Sequence, residues 1–145
     1  MALYHLNSQY ISRGKGQCVV AAAAYRSGSK LIAEFIDRDT GTIFTKVFDY
    51  RHKKDVAFSE MILPKNAPKW MKNRQDLWNH IERIEKRKDA QLAREIEVAL
   101  QRELNLEQNL EVVRSFITEC FTNKGIIADL NIHLDDNNPH AHILG

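Results

Sequence analysis

Cysteine is scarce in this chain of 145 residues, and long apolar runs and a strong excess of one charge sign are both lacking. The two cysteines, Cys18 and Cys120, are isolated, and neither belongs to a Cys-x-x-Cys pair. This argues against a disulfide framework or a thiolate zinc site and suits a reducing cytosol. No apolar stretch resembles a signal segment or approaches the length of a membrane span. We therefore expect a soluble, cytoplasmic protein without membrane insertion.

The balance of charge limits the possible partners. Charged residues make up 28% of the chain, yet the formal net charge is only +2. Binding to nucleic acid would therefore depend on local basic clusters, not on an overall positive charge. The length suits a single domain, residues 1–145, with a core that needs neither disulfides nor metal to fold. A bound metal would then take part in a reaction and would not be needed for folding.

Three of the six histidines lie in the last fifteen residues. Residues 127–134 alternate between apolar and polar, which predicts a half-buried strand with His133 on its polar face. The turn formers at 135–139 predict a reversal into a second strand, on which His140 and His142 share a face. Pairing of these strands would gather three imidazoles at an open site for a divalent transition metal. The simpler alternative is a hairpin with ordinary surface histidines.

A second informative segment is the strand predicted at Arg94–Leu100. Its apolar residues alternate with Glu95 and Glu97, so both carboxylates should lie on the opposite face. There they would either face solvent or lie beside the histidines, where they would orient an imidazole or balance metal charge. The pattern leaves both possibilities open.

Near the N-terminus, Ser12–Gly16 is a glycine-rich basic loop, suited to holding phosphates but too short for a Walker-type nucleotide loop. An alanine-rich helix is predicted to follow at Cys18–Arg26 and to end near Gly28. Tyr25 lies in its last turn. Tight packing of such a helix favours, by itself, an interpretation of Tyr25 as an anchoring core aromatic.

The remaining elements complete an α+β pattern. A basic run at Tyr50–Lys54 is more typical of a solvated surface, although it would also suit a phosphate backbone. The order of elements predicts a mainly antiparallel sheet with helices on one face. Further strands are predicted at Ala2–Asn7, Leu31–Ile36, Thr42–Phe48 and Val56–Leu63, and further helices at Arg74–Ala93 and Asn105–Lys124.

Taken in order, four stretches resemble the MobA/MobL relaxases of mobilisable and conjugative plasmids, which belong to the wider His-hydrophobe-His endonucleases. The resemblance spans nearly the whole chain and implies a palm-like fold shared with replication initiators. The matching stretches are Tyr4-His5-Leu6 with Ile11-Ser12-Arg13, Ala21 to Gly28, Glu85 to Asp89 with Ala93 to Leu100, and His133 with Pro139-His140-Ala141-His142.

This resemblance implies an enzyme that nicks one DNA strand at an origin of transfer, leaving a 5′-phosphotyrosine linkage and a free 3′-hydroxyl. Under it Tyr25 becomes the expected nucleophile, and Glu95 and Glu97 take catalytic roles in orienting ligands or handling protons. The expected metal ligands are His133, His140 and His142. The expected contacts to DNA phosphates are Arg13, Lys15 and Arg26.

The resemblance also sets expectations for cofactor and partners. The cofactor would be Mn²⁺ or Mg²⁺, with Zn²⁺ or Ni²⁺ possible in a purified sample. The partners would be single-stranded DNA at the origin of transfer and accessory mobilisation and coupling proteins. The protein would be a bacterial, plasmid-encoded cytoplasmic monomer.

The sequence departs from the family pattern in two places. Gln101 stands where the family commonly has proline after the Glu-x-Glu strand, which affects a turn and not the chemistry. The chain ends at Gly145, soon after the histidine pair, whereas family nuclease domains usually continue. We therefore expect a C-terminally truncated nuclease domain. The missing segments would affect tight, sequence-specific binding of an origin more than they would affect binding of the metal.

Three alternatives fit parts of the pattern. A rolling-circle replication initiator also combines a His-x-His pair with a tyrosine, but its tyrosine usually follows the histidines. A cupin-like metalloenzyme would need many evenly spaced short strands, which the predicted long helices disfavour. A non-catalytic module for single-stranded DNA would keep the basic loops but would not need three convergent histidines, so metal content separates it from the enzyme.

Overall fold

The computed structural model describes residues 6–37, 39–135 and 138–145. Within these ranges the elements alternate as the sequence predicts, and the α+β class is confirmed. No helix there is long and apolar enough to cross a membrane. The strands are β1 Leu6–Ser12, β2 Lys30–Ile36, β3 Ile43–Asp49, β4 Val56–Ile62, β5 Gln91–Ala99, β6 Ala128–Asp135 and β7 Asn138–Leu144, and the helices are α1 Val19–Ser27, α2 Arg74–Ile84 and α3 Leu106–Cys120.

Five strands form one sheet in the order β1-β5-β7-β6-β4, and every neighbouring pair is antiparallel. The predicted hairpin is therefore its centre, with β7 between β5 and β6. Its register places His133 opposite His140 and Asn131 opposite His142, while Glu97 of β5 faces His142 from the other side. Because side chains alternate between faces, all of these point to the same side of the sheet.

Helices cover both faces of the sheet, so the prediction of helices on one face is wrong. On the apolar face, α3 packs its buried Val113 and Ile117 against residues such as Leu130 and Ile143. On the other face lie α1 and α2. The polar residues of β6 there, Asp129 and Asn131, are 0% exposed. The predicted half-buried strand is therefore buried on both sides, because Asp129 bonds to α2 while Asn131 bonds to Ser59 of β4 and to Asp129.

Helix α1 follows its prediction closely. Ala23 and Ala24 are fully buried, so the helix lies close to its neighbours. It ends at Gly28, which adopts a left-handed conformation with φ of 62°. A Cβ added to Gly28 would lie 3.1 Å from a methyl group of Val56, so both backbone conformation and space favour glycine.

Helix α2 ends at Ile84, nine residues before its predicted end at Ala93. Hydrogen bonds from Arg13 hold the chain that follows in a non-helical path. The Arg13 guanidinium donates to the carbonyl oxygens of Glu82, Glu85 and Arg87 at 2.5 to 3.0 Å. Glu85 is already extended, and β5 begins at Gln91 by pairing with β1. Helical periodicity could not reveal this long-range contact.

The other boundaries lie close to expectation. Asn105 caps α3 in a reciprocal capping box with Gln108, and the helix then gives way to a short 3₁₀ turn at Thr122–Lys124 before Gly125. The strands β2 and β3 form the predicted hairpin as a separate two-stranded sheet. Most of the strand predicted at Ala2–Asn7 lies outside the described residues, and the first described strand extends to Ser12.

A buried carboxylate fixes α2 to the sheet. Asp129 accepts hydrogen bonds from Arg74 Nε at 2.8 and 3.0 Å, from Trp78 Nε1 at 2.8 Å and from Asn131 Nδ2 at 2.9 Å. Arg74 also donates to Ser59 of β4 at 2.7 Å. Each polar group in this network gains a partner that offsets its loss of water.

Changing Asp129 to Ala should lower the free energy of unfolding by about 3–5 kcal/mol, because it leaves the Arg74 charge and the Trp78 N–H without their buried partner. Urea unfolding followed by circular dichroism measures the difference. The matched control is Glu60→Ala, which breaks the more exposed Glu60–Arg114 pair and should cost less than about 1 kcal/mol. Equal losses in the two variants would contradict the assigned role of the network.

Candidate active site

Three imidazoles meet on the covered polar face of the sheet. The ring centroids of His133 and His142 are 4.4 Å apart, those of His140 and His142 are 4.8 Å apart, and those of His133 and His140 are 5.5 Å apart. One ring nitrogen from each lies within 4.8 Å of the other two. The cluster follows from the antiparallel register, since His133 and His140 are direct partners and His142 is on the same face.

His133 is held in one tautomer by α1. Its Nε2 lies 2.7 Å from the backbone carbonyl oxygen of Arg26, which can only accept, so Nε2 carries the proton. The other nitrogen, Nδ1, keeps its lone pair and lies 3.9 Å from a carboxylate oxygen of Asp55. Burial lowers the pKa of His133, and the nearby His142 and Lys53 add to this. The ring is therefore held neutral, the form that binds a metal.

Glu95 lies beside His142 at the base of the cluster. Its Oε1 is 3.8 Å from Nδ1 of His142, and it accepts hydrogen bonds from Gln9 at 3.1 Å and from the Arg26 guanidinium. Burial alone would raise the pKa of Glu95, but these three neighbours outweigh it and lower the pKa to about 2. Glu95 is consequently a buried, permanently charged carboxylate and a weak base.

Glu97 faces His142 across the β5–β7 pair. Together with Glu95 and His142 it forms a second group whose possible ligand atoms lie within 4.8 Å of one another. The structure thus places both carboxylates beside the histidines and not in open solvent. No described residue forms a hydrogen bond with the Glu97 carboxylate, which distinguishes it from Glu95.

Arg26 connects α1 to this cluster through two different groups. Its backbone carbonyl accepts from His133, and its side chain forms an ion pair with Glu95 while donating to the Ala22 carbonyl at 3.0 Å. The side chain is only 15% exposed. Arg26 therefore positions the site from within, although we had expected it to contact DNA; that contact stays a prediction.

Tyr25, the residue before Arg26, is not a buried anchor. It is 50% exposed in the last turn of α1. The Tyr50 ring packs against it edge-on at 5.2 Å, and the Lys53 ammonium lies 3.5 Å from its centroid. The small residues Ala23 and Ala24, which precede Tyr25 in α1, are fully buried, whereas the Tyr25 side chain lies at the surface.

The two basic residues of the glycine-rich loop have different surroundings. Both terminal amino groups of the Arg13 guanidinium are used by backbone carbonyls and by Glu82, so its contacts favour a structural role over the expected phosphate contact. Glu82 also accepts from the first backbone N–H of α1 at 2.8 Å. Lys15 is exposed, and its expected contact with DNA stays a prediction.

Three neighbours of the site escaped prediction as members of it: Gln9, Lys53 and Asp55. Gln9 reaches Glu95 only because β1 pairs with β5 in one particular register. Asp55 immediately precedes β4, which pairs with β6, and this pairing carries it to His133. The basic composition of the run at Tyr50–Lys54 gave no sign that Lys53 lies against Tyr25. In each case the missing information was the pairing of distant segments.

The donor set is chemically suited to a divalent transition metal. Three neutral imidazoles supply nitrogen ligands and leave coordination positions open for water or a substrate oxygen. Glu95 beside His142 matches the usual arrangement in which a carboxylate supports a ligand imidazole. His142 Nδ1 is buried and lacks a hydrogen-bond partner among the described residues, so the cluster contains a polar atom whose hydrogen-bonding capacity is unused.

Comparisons with known proteins agree with these motifs. The sequence is 39% identical to the conjugal transfer protein TraA of Agrobacterium fabrum over 99% of this chain and 13% of that protein. It is 38% identical to the mobilization protein MobL of Acidithiobacillus ferridurans over 92% of this chain and 32% of that protein. This chain therefore corresponds to a small part of these relatives.

A solved structure described as "Molecular Basis of Vancomycin Resistance Transfer in Staphylococcus aureus" has the same fold. The match covers 99% of this chain and 69% of the chain in that structure, with a TM-score of 0.82 and 37% sequence identity. The profile of the MobA/MobL family matches residues 17–145, which include α1, both glutamates and all three histidines. The chain belongs to the MobA/MobL family.

Proposed function

We propose that this chain is the DNA-nicking part of a conjugative relaxase. The observation that carries the proposal is the convergence of three imidazoles at the end of α1, where an exposed tyrosine lies next to the residue that contacts His133. The names of the relatives, conjugal transfer and mobilization proteins, support the same process. The substrate would be single-stranded DNA at an origin of transfer, with accessory mobilisation and coupling proteins as partners.

His133, His140 and His142 would hold a divalent ion, with Mn²⁺ or Mg²⁺ as the working metal. Such an ion supplies positive charge beside a non-bridging phosphate oxygen when it is bound. The chain prepares this site in two ways. The Arg26 carbonyl fixes the tautomer of His133, and the charged Glu95 faces Nδ1 of His142. This arrangement would leave Nε2 of His142 as the nitrogen that holds the ion.

Tyr25 would attack the scissile phosphate. A bond forms between its phenolic oxygen and phosphorus, the bond from phosphorus to the 3′-oxygen breaks, the phenolic proton is released, and the 3′-oxygen gains a proton. The DNA is left with a free 3′-hydroxyl and a 5′ end joined to tyrosine. A phenolate is a better leaving group than an alkoxide, so the same 3′-hydroxyl can reverse the reaction.

The two glutamates would divide the remaining work. With a pKa of about 2, Glu95 is too weak a base to accept a proton and serves to orient His142. Glu97, which no described residue engages by a hydrogen bond, is the better candidate for receiving the phenolic proton. Lys15 would contribute charge to the phosphates without reading sequence.

Changing His140 to Ala should weaken metal binding by more than the roughly 10- to 100-fold caused by loss of a group that supports a ligand. Isothermal titration calorimetry with Mn²⁺ and with Zn²⁺ measures the change. His52→Ala removes an exposed histidine from the same protein and should leave the affinity as it was. A loss of affinity in both variants, or in neither, would argue against the three-histidine site.

The covalent step gives the direct test of the function. Incubation with single-stranded oligonucleotides from the transfer origin and Mn²⁺ should yield a protein–DNA adduct on a denaturing gel, and EDTA should prevent it. Tyr25→Phe should abolish the adduct because the attacking oxygen is gone, while metal affinity and oligonucleotide binding stay close to wild type.

The matched control is Tyr10→Phe, which removes another partly exposed hydroxyl, one that accepts from Arg94 at 2.6 Å. This variant should keep the adduct. If the adduct persists in Tyr25→Phe, then another tyrosine is the nucleophile. If the wild-type protein binds metal and oligonucleotide yet forms no adduct, the proposed nicking activity of this chain is wrong.

A further inference from the structure

We propose that Lys53 is a positioning residue for the nucleophile, holding the ring of Tyr25 and placing a positive charge against its face. This inference rests on the proposed function, because it matters for catalysis only if Tyr25 attacks DNA. Lys53 is not one of the three histidines expected to hold the metal, and it lies outside the glycine-rich loop at Ser12–Gly16.

The contact between the two side chains is close. The Lys53 Nζ lies 3.5 Å from the centroid of the Tyr25 ring, well inside the roughly 6 Å limit for a cation–π interaction. The Tyr50 ring meets Tyr25 edge-on, with an interplanar angle of 84°. A half-exposed ring at the end of a helix would otherwise rotate freely, so these two contacts define its plane.

The backbone holds Lys53 in this place. Its N–H donates to the Tyr50 carbonyl at 3.1 Å, and the Tyr50 N–H donates to the Ser29 carbonyl at 3.0 Å just beyond α1. A Cβ added to Gly28 would lie 3.7 Å from Cβ of Lys53, so the segment packs directly on the end of the helix. Lys53 is accordingly partly buried, whereas its neighbour Lys54 is exposed.

The same short segment reaches the histidine cluster. Asp55, two residues after Lys53, brings a carboxylate oxygen to 3.9 Å from His133 Nδ1, and its carbonyl accepts from the Leu134 N–H at 2.8 Å. One end of the segment thus touches the nucleophile and the other touches a metal ligand. Lys53 therefore belongs to a three-residue segment that contacts both Tyr25 and His133.

A cation in this position favours the reaction in both directions. As the bond from oxygen to phosphorus forms, the phenol loses its proton and negative charge spreads into the ring. The ammonium attracts that charged ring more strongly than the neutral ring of the ground state, so the contact strengthens on the way to the transition state. When the DNA is resealed, the departing phenolate receives the same stabilisation.

The first test compares Lys53→Gln, Lys53→Arg and Lys54→Gln in the full chain. Single-turnover adduct formation at saturating oligonucleotide should slow at least about tenfold in Lys53→Gln, and Lys53→Arg should recover most of the rate. Lys54→Gln removes the same charge one residue away and should slow the step less than about threefold. Oligonucleotide affinity should fall equally in the two glutamine variants, since each loses one charge.

Equal rates in Lys53→Gln and Lys54→Gln, with wild-type protein forming the adduct, would overturn the role of Lys53 and leave the proposed function standing. An effect confined to oligonucleotide affinity would do the same, since it would reduce Lys53 to a general phosphate contact. Absence of an adduct in the wild-type protein would overturn the proposed function, and this inference with it.

A second measurement tests the contact without any DNA. In the proton NMR spectrum, the methylene protons next to the Lys53 ammonium should be shifted upfield by the ring current of Tyr25, and Tyr25→Leu should remove that shift. The corresponding protons of Lys54 should show no such dependence. An unshifted Lys53 signal in the folded wild-type protein would contradict the proposed position of the ammonium.

Discussion

The ion pair between Arg26 and Glu95 joins the end of α1 to the centre of the sheet, and the geometry of the site depends on it. Both side chains are largely buried, so the pair is stable only because further hydrogen bonds satisfy its remaining atoms, from Gln9 to the carboxylate and from Arg26 to its own helix. With Arg26 fixed, its carbonyl meets His133, and the preceding residue, Tyr25, lies exposed in the same last turn of α1.

The single strand β6 contacts both α1 and α2 through buried side chains on the polar face of the sheet. On β6, Asp129 binds α2 through Arg74 and Trp78, while His133 binds α1 through the Arg26 carbonyl. Both polar side chains are buried, and in surroundings of low polarity their hydrogen bonds are strong and a missing partner is costly. The polar face of β6 therefore fixes both helices to the sheet and also supplies His133 to the histidine cluster.

Local signals predicted much of this arrangement. Strict alternation and a cluster of turn formers were enough to predict the β6–β7 hairpin with its three histidines on one face, and glycine at 28 marked the end of α1. What local signals could not show was long-range pairing. Arg13 ends α2 from a distant part of the chain, Arg26 reaches Glu95 across 69 residues, and Asp129 is as polar as a solvent-facing residue although it is fully buried.

The three histidines all come from one hairpin, whereas 107 residues of chain separate His133 from the Arg26 carbonyl that orients it. Contacts within a hairpin need only a short loop to close, while the contact to α1 needs the whole tertiary structure. Closing the hairpin that gathers the imidazoles thus costs little chain entropy, whereas bringing α1 to them depends on the folding of the whole domain. Under the proposed function, the metal ligands would therefore come from one hairpin, whereas DNA cleavage would need the complete fold that brings α1 to them.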